Sequence, residues 1–226
     1  MERKYLPSIV GLGSNPRANV GKVLSEGFDG NFAYREKINK VDITVRGNIT
    51  YSKNTILEKD EENNVYPYQM ERDYRVNQAK GLIALGLFKD YDDIRNSPRQ
   101  DFGTVQPGDI KYKDVNEDGV INDLDRTAIG GTWNPQIVYG FGLNLQYKNI
   151  DFGFFFQGNA KTNRMIGGSN FIPGSGDGSM GNIMSNYQDH WTVDNPSQDV
   201  FWPRLSSSRN ANNTQESTWW LQDMSM

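Results

Sequence analysis

Two stretches of the chain alternate apolar and polar residues with a period of two. In the first, Phe28, Gly30, Phe32 and Tyr34 alternate with Asp29, Asn31, Ala33 and Arg35. A turn around Ile38, Asn39 and Lys40 follows. Val41, Ile43, Val45, Gly47, Ile49 and Tyr51 then alternate with Asp42, Thr44, Arg46, Asn48, Thr50 and Ser52. In the second stretch, Tyr139, Phe141, Leu143, Leu145 and Tyr147 alternate with Gly140, Gly142, Asn144, Gln146 and Lys148. A tight turn at Lys148-Asn149 reverses the chain into Ile150, Phe152, Phe154 and Phe156. Period two puts successive side chains on opposite faces of a strand. The pattern predicts two hairpins, over residues 27–55 and 136–158, each with one apolar and one polar face. Strands of globular proteins usually run about 5–6 residues, and these are longer. Such length suits strands with lipid on one side and water on the other. The other reading is a soluble antiparallel sheet with one buried face. The second hairpin is aromatic at both ends of its apolar face, as an interfacial girdle would be.

The remainder shows no such period. Residues 1–26 hold scattered Pro and Gly, and helix is not expected there. Gly11-Leu12-Gly13 lacks the third glycine and the following helix of a phosphate loop. Residues 56–135 read as a long loop region. Its charged run from Glu58 to Glu62 is solvated, Gly81 to Phe88 is a short apolar patch, and Asp92-Asp93-Ile94 forms one helical turn. Residues 159–226 read as a loop-rich end. Trp191, Trp202, Trp219 and Trp220 fall there, and the packing of loops is the reading adopted; stacking on sugar rings is the other use of such side chains. His190 is the single histidine. It has no Cys, no second His and no evident Ser partner, so it offers no catalytic arrangement.

One segment of the loop region carries candidate chemistry. DVNEDGVINDLD, Asp114 to Asp125, has the D-x-N-x-D-G-x-I-N-x-x-D spacing of a calcium loop. Asp114, Asn116 and Asp118 supply side-chain oxygens and Val120 its backbone carbonyl. Asn122 acts directly or through a water, and Asp125 closes the site. Gly119 permits the sharp bend, and Ile121 is an apolar pin. Asp at the twelfth position reaches less far than the usual Glu. The flanks, with Pro107-Gly108 and an extended Ile110-Lys113, are not EF-hand helices. The same residues also suit a turn without metal.

Composition narrows the classes. Across 226 residues, hydrophobic content is 36% and mean hydropathy is -0.71. No run of about 18 apolar residues exists, which excludes a transmembrane helix but not a barrel strand of about 9–11 residues. Cysteine is absent, so neither disulfides nor thiolate metals hold the fold. A net charge of -4 argues against nucleic acid as a partner. No secretory signal opens the sequence.

The segments PGDIKYKDVNEDGVINDLDRTAIG and NPQIVYGFGLNLQYKNIDFGFFFQG resemble the C-terminal barrel region of SusC/RagA-type TonB-dependent transporters. DHWTVDNPSQDVFWPRL and STWWLQDMSM continue the resemblance, and GFDGNFAYREKINKVDITVRGNITYSKN is similar to the preceding strands. The resemblance implies an all-β fold, a partial antiparallel transmembrane β-barrel of long meander hairpins. Long extracellular loops, including the Asp-rich calcium-type loop, complete it. The whole barrel would have about 22 strands and an N-terminal plug. It implies import of oligosaccharide or peptide across the outer membrane, a SusD-like lipoprotein as lid, and energy from the TonB complex through N-terminal parts. It does not imply an enzyme. Residues 1–226 are then expected to be an internal fragment, not competent alone and unstable in water. The alternative is a secreted calcium-stabilised all-β carbohydrate-binding or adhesion module with its apolar faces turned inward.

Overall fold

The computed structural model describes residues 19, 21–61, 66–167, 171–172 and 184–226. Most of residues 1–26, the centre of the charged stretch, and much of the Gly/Ser-rich run after Lys161 lie outside these. Two regions are built differently.

The first is a sheet in the order β1-β2-β9-β10, here called the wall. β1 spans Lys22–Ile38 and β2 Val41–Glu58; β9 spans Ile137–Tyr147 and β10 Ile150–Ala160. Every pairing is antiparallel. Each hairpin closes with two residues, and Asn39 and Lys148 take positive φ (55° and 52°), as tight hairpin turns require. The first hairpin starts at Lys22, ahead of the expected Gly27, because pairing continues past the alternating stretch. Both turns lie at one end, since Val41 and Ile150 both pair with Tyr147. β1 and β2 therefore overhang β9 and β10 at the other end.

Register makes the two faces continuous. Tyr34, Val45, Leu143 and Phe154 form one cross-strand row, and Phe32, Gly47, Phe141 and Phe156 the next. Among the described residues no second layer covers this apolar face: Phe28 is 60% exposed, Phe32 59%, Phe141 52% and Phe152 59%. Phe141, Phe154 and Phe156 instead pack along it as tilted rings, with centroids 5.3 Å and 5.4 Å apart. A large apolar side chain left in water forgoes roughly 1.5–3 kcal/mol relative to burial. A face of this size is therefore built for an apolar surrounding.

The second region, the cap, has an interior. Its strands are β3 (Lys80–Gly81), β4 (Ala84–Leu87), β5 (Arg99–Gln100), β6 (Ile110–Tyr112), β7 (Val120–Ile121), β8 (Thr127–Ala128), β11 (Asn163–Met165) and β12 (Leu221–Asp223). They pair two by two. One short helix, α1 (Tyr91–Arg95), is capped by Asp90, whose side chain accepts from the Asp93 N–H. It falls where one helical turn was expected. Leu82, Ile110, Tyr112, Ile121, Trp202 and Trp220 are among the buried core. Trp191, Trp202 and Trp220 pack loops together, as expected, whereas Trp133 is 62% exposed.

Buried polar groups join the distant parts of the cap. The fully buried Asp109 accepts from Arg204 Nε (3.1 Å), Asn210 Nδ2 (2.9 Å) and Asn213 Nδ2 (3.0 Å). Gln100 donates to Asn212 Oδ1 (2.6 Å) and accepts from the Tyr112 N–H (2.6 Å). The Tyr112 hydroxyl donates to the Asn212 carbonyl (2.7 Å), and burial raises its pKa far above the ordinary phenol range. The cap docks on the overhang of β2. Ile56 is buried and exchanges backbone hydrogen bonds with residues 73 and 74, and Asn54 Oδ1 accepts from the Val76 N–H (2.8 Å).

Candidate functional site

The Asp loop leaves β6 and returns through β7, which lies parallel to β5. Gly119 has φ +84°, the left-handed conformation expected of it. Ile121 is buried and pins the loop to the cap core. Asp114 accepts from the Glu117 N–H (2.7 Å) and the Gly119 N–H (2.8 Å). Asn116 Oδ1 accepts from the Asp118 N–H (3.2 Å), and Asp118 Oδ1 from the Val120 N–H (2.8 Å). The Asn116 amide donates to Asp118 Oδ2 (2.9 Å). Asp114, Asn116 and Asp118 thus curl the loop together, as side chains of this kind do in turns.

The other predicted positions hold its far end. Val120 lies in β7. Asn122 caps the 3-10 turn Asp123–Asp125, accepting from the Leu124 N–H (2.7 Å). Asp125 is fully buried. Its carboxylate accepts from the Val115 N–H (2.8 Å) and the Asn122 N–H (2.8 Å), so it closes the loop through backbone donors. Among the described residues, no three His, Cys, Asp or Glu side chains group into a metal cluster. The donor types are all oxygen, which is the chemistry of a hard cation.

A strap over this loop lies just past the charged Glu58 to Glu62 run, inside the stretch that the sequence presents only as loop. Tyr66 and Tyr68 stack at 5.3 Å and 13°. The Tyr66 hydroxyl accepts from Asn116 Nδ2 (3.1 Å), and the Tyr68 hydroxyl donates to the Leu124 carbonyl (2.8 Å). Burial, and then the negative charge of Asp125, raise the Tyr68 pKa above the ordinary phenol value. The readable signal was Tyr-Pro-Tyr inside a charged stretch. His190 Nδ1 lies 2.7 Å from the Tyr187 carbonyl, a local loop contact.

The second candidate surface is the polar face of the wall. It carries Asp29, Asn31, Arg35, Thr44, Arg46, Asn48 and Asn144, all on the side opposite the aromatic rows. A long two-faced wall with a folded cap at one end is the architecture of part of a membrane-type β-barrel.

The comparisons with known proteins agree. Over 123 residues, the chain is 33% identical to TonB-dependent receptor P26 of Formosa agariphila, covering 53% of this chain and 12% of that protein. Its fold matches the solved RagAB peptide transporter with a TM-score of 0.67 at 20% identity, over 99% of this chain and 23% of that one. The RagAB peptide importer in its 'open-open' state matches with a TM-score of 0.64 at 19% identity, over 97% and 23%. No family model matches. The chain is thus similar in sequence to a short stretch of a TonB-dependent receptor and shares its fold with part of the RagAB structures. It spans about an eighth of the curated relative and under a quarter of the solved chains.

Proposed function

We propose that this chain forms part of the wall and outer mouth of an outer-membrane import barrel. The apolar face of β1, β2, β9 and β10 meets lipid, and the polar face turns to the barrel interior. The observation that carries this is the continuous, uncovered apolar face with a polar face behind it. The 11-residue lengths of β9 and β10 match the about 9–11 residues a tilted strand needs to cross. The whole protein would import peptide or oligosaccharide, driven by the TonB complex through parts beyond these residues, with a SusD-like lipoprotein over the cap. Peptide draws support from the fold match to a peptide transporter. A secreted calcium-stabilised carbohydrate-binding or adhesion module would turn its apolar faces inward, which the exposed rings oppose.

The test is solubility and partition. Without detergent the chain should aggregate, and the whole protein should fractionate with outer membranes and co-purify with a surface lipoprotein. A monodisperse, detergent-free monomer of the chain would contradict the wall reading.

Calcium at Asp114, Asn116, Asp118, Val120, Asn122 and Asp125 belongs to the same proposal, as a stiffener of the mouth. The carboxylate oxygens that accept backbone N–H groups keep a second lone pair for a cation. The Asn116 amide, whose nitrogen donates to the Asp118 carboxylate, would have to flip to offer its oxygen on that side. Calorimetric titration of the whole protein should give heat that Asp114→Ala with Asp118→Ala abolishes. No heat, or heat indifferent to the substitutions, would end the idea.

A further inference from the structure

We infer that Tyr66 and Tyr68 are a clasp that keeps the Asp loop closed whether or not a cation occupies it. This goes beyond the calcium reading and does not depend on it. The clasp reaches across the loop. Tyr66 accepts from Asn116 Nδ2 in the first half (3.1 Å), and Tyr68 donates to the Leu124 carbonyl in the second (2.8 Å). Gln69 Nε2 adds a donor to the Asp123 and Leu124 carbonyls (3.3 Å and 3.2 Å). None of these bonds uses a carboxylate oxygen of the loop. Asp114, Asp118 and Asp125 are therefore left to the loop's own donors and to any cation. A phenol hydroxyl both donates and accepts, so Tyr66 keeps its bond to Asn116 whichever way that amide turns.

The strap is itself fastened on both sides. Pro67 keeps Tyr66 extended and opens the 3-10 turn Pro67–Gln69, and the two rings lie face to face across it. Lys80 Nζ donates to the Gln69 and Met70 carbonyls (2.6 Å and 2.8 Å). Lys80 belongs to β3, which pairs with β8 just behind the loop. On the other side Glu61 accepts from the Glu71 and Arg72 N–H groups (2.8 Å and 3.2 Å), and Lys59 pairs with Glu71. Burial, and then the Asp125 charge, push the Tyr68 pKa up, so its hydroxyl stays a donor. Inside the loop, the N–H groups from Val115 to Val120 all donate to Asp114, Asn116, Asp118 or Asp125. The bonds from Val115 and Asn116 to Asp125 cross the loop and last only while its halves stay together. Exchange of these amides therefore reports closure.

The experiment is hydrogen exchange read by mass spectrometry on the whole protein in detergent, first in a calcium chelator and then with calcium added. In chelator the amides from Val115 to Val120 should be protected in the unaltered protein. Tyr66→Phe with Tyr68→Phe should speed their exchange about tenfold, while Ile110–Tyr112 in β6 exchanges as before. Tyr91→Phe, at an exposed tyrosine of α1, should change nothing in the loop. A double variant whose loop stays as protected as the original overturns the inference. Faster exchange that reaches Ile110–Tyr112 overturns it too, because the tyrosines would then be holding the cap as a whole. So does an unaltered loop that exchanges freely in chelator and is protected only by calcium, since the cation would then be what closes it. A loop protected in chelator, opened by the double substitution and indifferent to calcium in both proteins supports the clasp and ends the calcium reading.

Discussion

The wall and the cap are both made of strands, yet they solve opposite problems. The wall has 11- to 18-residue strands, long alternating runs and, among the described residues, no layer over its apolar face. The cap has strands of 2–4 residues, a core of Trp, Tyr, Ile and Leu, and buried amides that satisfy one another. A strand bathed in lipid on one side needs no partner layer, only an unbroken register. A loop assembly in water must make its own interior and pair most of the polar groups it buries. Different surroundings thus select different architectures from one chain.

Substitutions in the two regions should separate them. The largest effect is expected in the cap. Trp202→Ala removes a fully buried ring and should cost about 3–5 kcal/mol, read as cap proteolysis at lower urea. Asp109→Ala strands Arg204 and should cost a similar amount, about 3–5 kcal/mol. Phe152→Ala, on the open apolar face, should leave cap proteolysis unchanged; a matching loss would erase the distinction between the regions. Next comes the wall. Leu143→Arg, on the apolar face, should cost about 2–4 kcal/mol in assembly yield, while Asn144→Arg beside it should be tolerated. Equal effects at these neighbours would deny the two faces.

The smallest effect is acid loosening of α1. The Lys111 ammonium, 2.8 Å from Asp93, holds that carboxyl below 3.8. A depressed carboxyl contributes stability that is full above the unfolded value near 3.8 and lost as pH falls through the lower folded value. Hydrogen exchange in Tyr91–Arg95 should therefore rise only below about pH 4, with Asp93→Asn worth at most about 1 kcal/mol.

The wall was legible in the sequence because period two repeats over enough residues to be counted. Gly140, Gly142 and Phe155 break the alternation of apolar and polar types, and only register reveals that the ring fills the glycine gap. The cap was largely illegible. Strands such as Arg99–Gln100 are too short to carry a period, and contacts such as Tyr112 with Asn212 join residues 100 apart. The Asp loop was found by spacing, and its bend at Gly119 and pin at Ile121 are where the spacing put them. Its strap at Tyr66 and Tyr68 was missed, because charge around it signalled open solvent.

The central claim is that adjacent residues of β9 face different media. These 226 residues hold no cysteine; with any cysteine elsewhere in the whole protein replaced by serine, Leu143→Cys and Asn144→Cys can be labelled singly in outer-membrane vesicles and compared. A fluorophore at position 143 should be quenched by brominated lipid and position 143 should resist an impermeant maleimide, whereas position 144 should do the reverse. Equal labelling at the two positions, or lipid quenching at 144 alone, would contradict the account.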